Sequence, residues 1–197
     1  MRALARPSVY GVVQRVVRGG AHRLFVEEYV RPRPGERVLD IGCGPAGILE
    51  HLHGLDYLGI DQSEAYVKAA RRRYGGRAAF VCSPVSTAAV EPESFDLAIA
   101  YGVLHHLDDA GAADLYSLAH RALRPGGRLV TLDGCFVDEQ SRVVRVLLTR
   151  DRGEHVRKAE DYLALVPRTF EVLQADIRHD ALRIPYTVLV VEMVKPT

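Results

Sequence analysis

Cysteine is scarce in this chain: Cys43, Cys82 and Cys135 are the three among 197 residues. They are odd in number, scattered and without C-x-x-C spacing, so they offer neither a disulfide framework nor a zinc-ligand pattern, and no metal is expected. An excess of one charge is also missing. Lys and Arg number 26 against 25 Asp and Glu, a formal net charge of +1, which makes no electrostatic case for holding nucleic acid. No apolar run approaches bilayer-spanning length, and the start, with Arg2 and Arg6, has no apolar stretch of signal-peptide length. Neither nucleic acid nor a membrane is therefore expected as a partner, and the cytoplasm is the expected location. Internal repeats and low-complexity tracts are absent. What is present is an ordinary globular balance, 48% hydrophobic and 26% charged, long enough for one domain with a substantial core.

One segment departs from this plainness. Val38 to Gly47 reads VLDIGCGPAG, an apolar run ending in Asp40 and followed by Gly42, Gly44 and Gly47, after which apolar residues resume at Ile48, Leu49 and Leu52. The pattern predicts a buried strand, a tight glycine turn and the first turn of a helix. Glycine lets such a turn take positive φ and lets a ligand approach the backbone, and a helix start offers unpaired N–H groups. The three glycines fit G-x-G-x-x-G, and Asp61 lies about where a dinucleotide fingerprint puts its ribose-binding acid. Three features argue against NAD and an oxidoreductase. Asp40 would repel a pyrophosphate but pair with a cationic amine, Pro45 removes an N–H that would cradle phosphate, and the chain is short for a dinucleotide domain plus a substrate domain.

Strands and helices alternate from residue 37 onward, the pattern of a parallel sheet with crossover helices. Strands are expected at Arg37–Ile41, Tyr57–Ile60, Ala78–Cys82, Phe95–Ala100, Arg128–Leu132, Phe170–Ala175 and Tyr186–Val194. The last two have no long helix between them and form a hairpin-like pair. Helices are expected over residues 8 to 30, from Ser63 as N-cap to Tyr74, over Ala112–Leu123, over Asp138–Leu148 and over Ala159–Val166. The fold class is α/β: one Rossmann-like doubly wound sheet of about seven strands, mostly parallel with an antiparallel C-terminal strand, and helices on both faces.

The glycine segment resembles motif I of the class I S-adenosylmethionine (SAM)-dependent methyltransferases. Tyr57 to Asp61 (YLGID), Phe95 to Leu107 (FDLAIAYGVLHHL) and Leu123 to Val130 (LRPGGRLV) resemble that family's second, fourth and strand-five motifs, in the right order. The resemblance runs from about residue 30 to the end. It implies methyl transfer from SAM to a small-molecule acceptor through O, N or C, with S-adenosylhomocysteine as product. It divides the single domain into an N-terminal helical lid (1–34), a SAM-binding core (35–133), an acceptor-side insertion (134–168) and the final strands (169–197). A chain of this fold that binds SAM or its product without turnover is the alternative. Nucleic-acid methylation is disfavoured, because Ala100-Tyr101-Gly102-Val103 stands where an N-P-P-Y-type tetrapeptide would.

The implied cofactor residues are Asp40, Ile41, Gly42, Cys43, Gly44 and Gly47 in the loop, and Asp61 with Gln62 after the second strand. Asp61 is either the partner of two ribose hydroxyls or the cap of the next helix. Ser83, Pro84 and Val85 stand where the family often has an acid for adenine, a departure that leaves Ser83 and the Val85 N–H as adenine contacts. Tyr101 ends the fourth strand beside the sulfonium. Tyr10 and Gln14 share one side of the N-terminal helix and are either lid contacts or ordinary helix edge. His106 and His105 are candidate general bases, His106 the more favoured, with loop packing as their other reading. Asp133, Arg150, Arg152, His155 and Arg157 are the candidate acceptor contacts. The basic run they belong to, with Arg142, Arg145 and Lys158, is either a seat for an anionic acceptor or a solvated face.

Overall fold

A computed structural model describes residues 21–149, 154–180 and 186–197. Its first element, α1 (Ala21–Phe25), runs straight into a π-helical turn, Val26–Val30. Arg31 closes it in the left-handed region (φ 42°), its N–H bonding the Val26 carbonyl at 2.8 Å. Phe25, Val26, Tyr29 and Val30 bury one stripe of this segment against the sheet.

The sheet holds β1 (Arg37–Ile41), β2 (Asp56–Asp61), β3 (Ala79–Cys82), β4 (Phe95–Tyr101), β5 (Leu123–Phe136), β6 (Arg157–Lys158), β7 (Glu171–Arg178) and β8 (Val188–Val194). Their order is β3-β2-β1-β4-β5-β8-β7, with the two-residue β6 beside β5. β1 to β5 are parallel neighbours, whereas β8 is antiparallel to both β5 and β7. The central strands are apolar on both faces, as a sheet covered on both sides requires. Phe25, Val67, Tyr74, Val130 and Leu148 belong to one layer, and Leu115, Leu118, Ala119, Tyr162 and Met193 to the other.

The remaining helices are α2 (Glu64–Tyr74), α3 (Asp109–Ala122), α4 (Arg142–Thr149) and α5 (Ala159–Ala164). Ser63 caps α2 as expected, its Oγ accepting from the Tyr66 N–H at 3.4 Å. Asp108 does the same for α3, accepting from the Gly111 N–H at 2.8 Å.

Several boundaries differ from the sequence expectation for identifiable reasons. Leu123 does not end a helix but begins β5 opposite Phe95; the Pro125-Gly126-Gly127 turn is looped out, and pairing resumes with Arg128 opposite Leu97. β5 also continues past Leu132 to Phe136, because β8 and β6 pair with that extension. The helix expected from Asp138 starts at Arg142 instead. The helix expected after the glycine loop is a four-residue 3-10 turn, Gly47–Glu50.

A buried carboxylate closes the contact between α1 and the sheet. Glu192 on β8, 3% exposed, receives Arg128 at 2.9 Å and pairs with Arg31 on its other oxygen. Arg128 also donates to the Val30 carbonyl at 3.0 Å. A buried charge is tolerable only when paired in this way.

Candidate active site

The carboxyl ends of β1, β2, β4 and β5 lie along one edge of the sheet, where ligands bind in open α/β folds. At β1 the loop turns back at once, since the Gly42 and Cys43 N–H groups both donate to the Ile60 carbonyl, at 2.8 and 3.0 Å. Gly42 (φ +74°) is obligatory twice over: its backbone is left-handed, and a Cβ would sit 2.6 Å from Val103 Cγ2. Gly44 (φ +53°) faces open space, the kind of cradle a ligand can enter. Gly47 is not a left-handed position. The third left-handed residue is Ala46 (φ 56°), and Gly47 is needed for space, its Cβ position lying 3.1 Å from the His22 ring.

Asp61, half-buried at the end of β2, fastens this loop. Its Oδ2 accepts from the Gly44 N–H and its Oδ1 from the Ser63 N–H, both at 2.8 Å. The helix cap is Ser63, so Asp61 is not that cap. Each Asp61 oxygen keeps acceptor capacity beyond its backbone bond, and two such acceptors side by side suit a vicinal diol. Since a four-residue 3-10 turn carries no appreciable helix dipole, ligand holding here rests on the loop and Asp61 instead.

Asp40 is 2% exposed and accepts a hydrogen bond from the Tyr57 hydroxyl. Burial pushes its carboxyl up to about 7, the Tyr57 bond opposes this, and the nearby Asp61 charge adds to it. Ile41 and Cys43 offer only backbone. The Ile41 side chain is fully buried, and the Cys43 sulfur packs 2.8 Å from where Gly59 would carry a Cβ. After β3, Ser83 and Val85 are half-buried while Pro84 and Gln62 are exposed, and the Ser83 N–H bonds the Asp61 carbonyl at 3.0 Å. Tyr101 ends β4 edge-on to His22 (4.7 Å between ring centres) and Phe25 (5.3 Å), so α1 lies directly over this side of the edge. Tyr10 and Gln14 lie outside the described residues.

The two histidines lie in different surroundings. His106 is exposed, and His105 is 4% exposed, its ring 4.1 Å from that of His106. Asp133 Oδ1 stands 2.7 Å from His105 Nδ1 and also accepts the His105 backbone N–H at 3.1 Å. This geometry places a proton on Nδ1, and the neutral ring so held carries its lone pair on Nε2, the tautomer of a base. Nε2 is buried and has no hydrogen-bond partner among the described residues, and the same holds for Asp133 Oδ2. Asp133 is expected from the sequence to contact an acceptor; instead its Oδ1 is committed to His105, and the residue is 2% exposed. Burial, and then the Asp133 charge, pushes the neighbouring Cys135 thiol up to about 12.

Arg157 is likewise not available to an anion. Its two Nη atoms donate to the carbonyls of Leu104 (3.1 Å), His155 (3.0 Å) and Leu107 (2.8 Å) and to Asp109 Oδ1 (2.8 Å). Lys158 is paired with Asp138 at 2.8 Å. His155 is half-buried, and its N–H bonds the His105 carbonyl at 3.0 Å. Arg150 and Arg152 lie outside the described residues. Sequence reasoning missed Tyr57 and His22. Tyr57 becomes visible only from the β1–β2 register, and nothing local marks His22. A shallow cavity lined by Leu52, His53, Tyr57 and Arg77 lies around the start of β2, the opposite end from Asp61. Among the described residues no group of three His, Cys, Asp or Glu side chains is arranged for a metal ion, and no helix is long and apolar enough to cross a membrane.

A methyltransferase-domain family model matches residues 38–127, from the glycine strand to the Gly127 turn. An O-methyltransferase of Pyrenophora dematioidea is 34% identical over 125 residues, covering 57% of this chain and 46% of that protein. The chain spans 30% to 60% of the length of the first curated relatives it matches. Among solved structures, a TehB-like SAM-dependent methyltransferase of Corynebacterium glutamicum is similar with a TM-score of 0.66 at 23% identity, covering 89% of this chain and 87% of that one. The [4+2]-cyclase SpnF is similar with a TM-score of 0.72 at 18% identity, covering 89% and 80%. The fold alone thus does not decide the reaction. The antiparallel β8 between β5 and β7 also departs from the 3-2-1-4-5-6 order of dinucleotide-binding folds.

Proposed function

We propose that this chain, a member of the class I SAM-dependent methyltransferases, methylates a hydroxyl or amine of a small molecule, with His105 as general base and S-adenosylhomocysteine as product. The observation that carries the reading is the pair of acceptor sites facing one edge: the Asp61 carboxylate beside the open Gly44 cradle, and His105 held on buried Asp133. Bound SAM supplies a methyl group on a cationic sulfur, open to in-line displacement. Asp61 takes the ribose hydroxyls, the Gly42–Gly44 backbone holds the amino-acid end, and Asp40 counters its ammonium group. Ser83 and the Val85 N–H take the adenine edge, with Gln62 beside it.

At the acceptor, His105 Nε2 would take the nucleophile's proton as its lone pair bonds the methyl carbon and the carbon–sulfur bond breaks, the electron pair staying on the sulfur of S-adenosylhomocysteine. Asp133 keeps the ring in the required tautomer and stabilises the imidazolium that results. Tyr101, pinned by His22 and Phe25, walls the methyl and helps exclude water, so alignment supplies much of the remaining rate. The test is calorimetric titration with SAM, followed by measurement of S-adenosylhomocysteine release with the small-molecule fraction of a cell extract. Saturable binding with product release is the expected result. Binding without release would leave a cofactor-binding protein that performs no transfer, and no binding would overturn the reading.

A further inference from the structure

We propose that Arg157 is a positioning residue for His105, gripping the backbone of the histidine turn from the acceptor side of the fold; this rests on the reading of His105 as base. The turn is the 3-10 segment Leu104–His106, which has no packing helix of its own. Three of its four carbonyls through Leu107 are taken by residues inside the insertion, at β6 and just before it. Arg157 binds those of Leu104 and Leu107, at 3.1 and 2.8 Å, and the His155 N–H binds that of His105 at 3.0 Å. The guanidinium is planar, and a lysine in its place would act as a point charge unable to span both carbonyls.

β5 supplies both anchor points. Asp133 on that strand holds the ring and N–H of His105. Two residues on, Cys135 pairs with Arg157 itself, so β5 also sets the position of the grip. The histidine is thus suspended between a carboxylate on its ring and a guanidinium on its carbonyl side. Only while β6 stays docked on β5 are both in place. The fourth bond, to Asp109, is of a different kind: that carboxylate is 79% exposed, and the backbone bonds do not need it.

The full chain carrying nitrogen-labelled histidine tests this through the ring nitrogen shifts of His105, alongside calorimetric SAM affinity and product release with the extract fraction. The wild type should show one tautomer, with the proton on Nδ1. Arg157→Met should average the two nitrogens and cut turnover about 100-fold, the cost of misplacing a reacting group by about 1 Å, while SAM affinity stays within twofold. Arg157→Lys should recover part of both signals, and Asp109→Asn should change neither. Should the methionine variant fail to fold, the lysine variant carries the test, with intermediate nitrogen shifts expected. An unchanged tautomer with unchanged turnover would overturn the proposal, as would equal losses of turnover and SAM affinity. A wild-type chain that binds no SAM sinks the proposed function and leaves the tautomer comparison standing as the test of Arg157.

Discussion

On the β1–β2 side of the edge, the bonds that shape the site are short in sequence. Gly44 to Asp61 and Tyr57 to Asp40 each span 17 residues. On the β4–β5 side they are long: His105 reaches Asp133 across 28 residues, and Arg157 reaches Leu104 across 53. The first half is a single strand–loop–strand unit built from backbone N–H groups and two carboxylates, Asp61 and Asp40. The second half exists only when three separate parts of the chain are assembled. The first kind of arrangement comes from a local motif, whereas the second is set by whatever the tertiary fold brings together. The comparison yields tests that separate the two halves.

The largest effect belongs to the β4–β5 side. His105→Gln should lower turnover by about 10² to 10⁴, the range for loss of a general base, with SAM affinity unchanged in calorimetry. His106→Gln should do far less, since that ring is exposed.

Next comes the pH response of the β1–β2 side. Burial lifts the Asp40 carboxyl from the ordinary aspartate range to about 7, so the folded state binds a proton more tightly than the unfolded one. Its contribution to stability is full below pH 4 and is lost as pH rises to about 7, amounting to about 4 kcal/mol at most. Denaturant titrations of the ligand-free chain across that window should show the decline, and Asp40→Asn should flatten it. A cofactor ammonium favours the ionised carboxylate, so SAM affinity should rise over the same window in the wild type. Two parallel pH profiles, variant and wild type, would assign Asp40 no such role.

A smaller loss is expected at Asp61. Asp61→Ala should weaken SAM about tenfold to a hundredfold, equivalent to about 1.5 to 3 kcal/mol for charge-assisted bonds. Asp61→Asn should be little milder, because both oxygens face N–H donors and an amide nitrogen would meet one of them. An alanine variant with wild-type affinity would move the ribose elsewhere. The smallest effect should come from Ala46→Gly, which relieves a left-handed alanine and should raise stability by less than about 1 kcal/mol in thermal melts. A drop would mean that the added freedom of the unfolded chain outweighs the relief.

Legibility in the sequence followed the same divide. The order of strands, the Ser63 cap and the antiparallel final pair could be read from apolar runs and turn residues, because each is a local signal. Within the glycine loop the sequence could not say that Ala46 rather than Gly47 would be left-handed, since that depends on how Ser63, Gly44 and Asp61 close together. The ranking of His105 and His106 was beyond reach for a related reason. Adjacent residues in one short turn point in different directions, and only the extension of β5 beyond Leu132 shows which of them meets Asp133. Arg157, placed among the anion-binding candidates by its neighbours in a basic run, is taken up by carbonyls about 50 residues away. Its charge was legible and its partners were not.

Among the described residues β7 is the last strand of the sheet, and Val172, Leu173 and Ile177 stand exposed on it. Such a strand opens by local fluctuation long before the middle of the sheet does. Yet β7 is also where the N-terminal segment is moored, through Tyr29 donating to Asp176 at 3.0 Å and through Arg178 bound to both Glu28 and Tyr29. The far end of that segment is His22, lying on Gly47 and Tyr101. When β7 peels away, the mooring slips and the cover over the glycine loop loosens with it. Amide protons of residues 25–30 and 172–178 should therefore exchange together in a hydrogen-exchange measurement, as one unit that connects a remote sheet margin to the glycine loop.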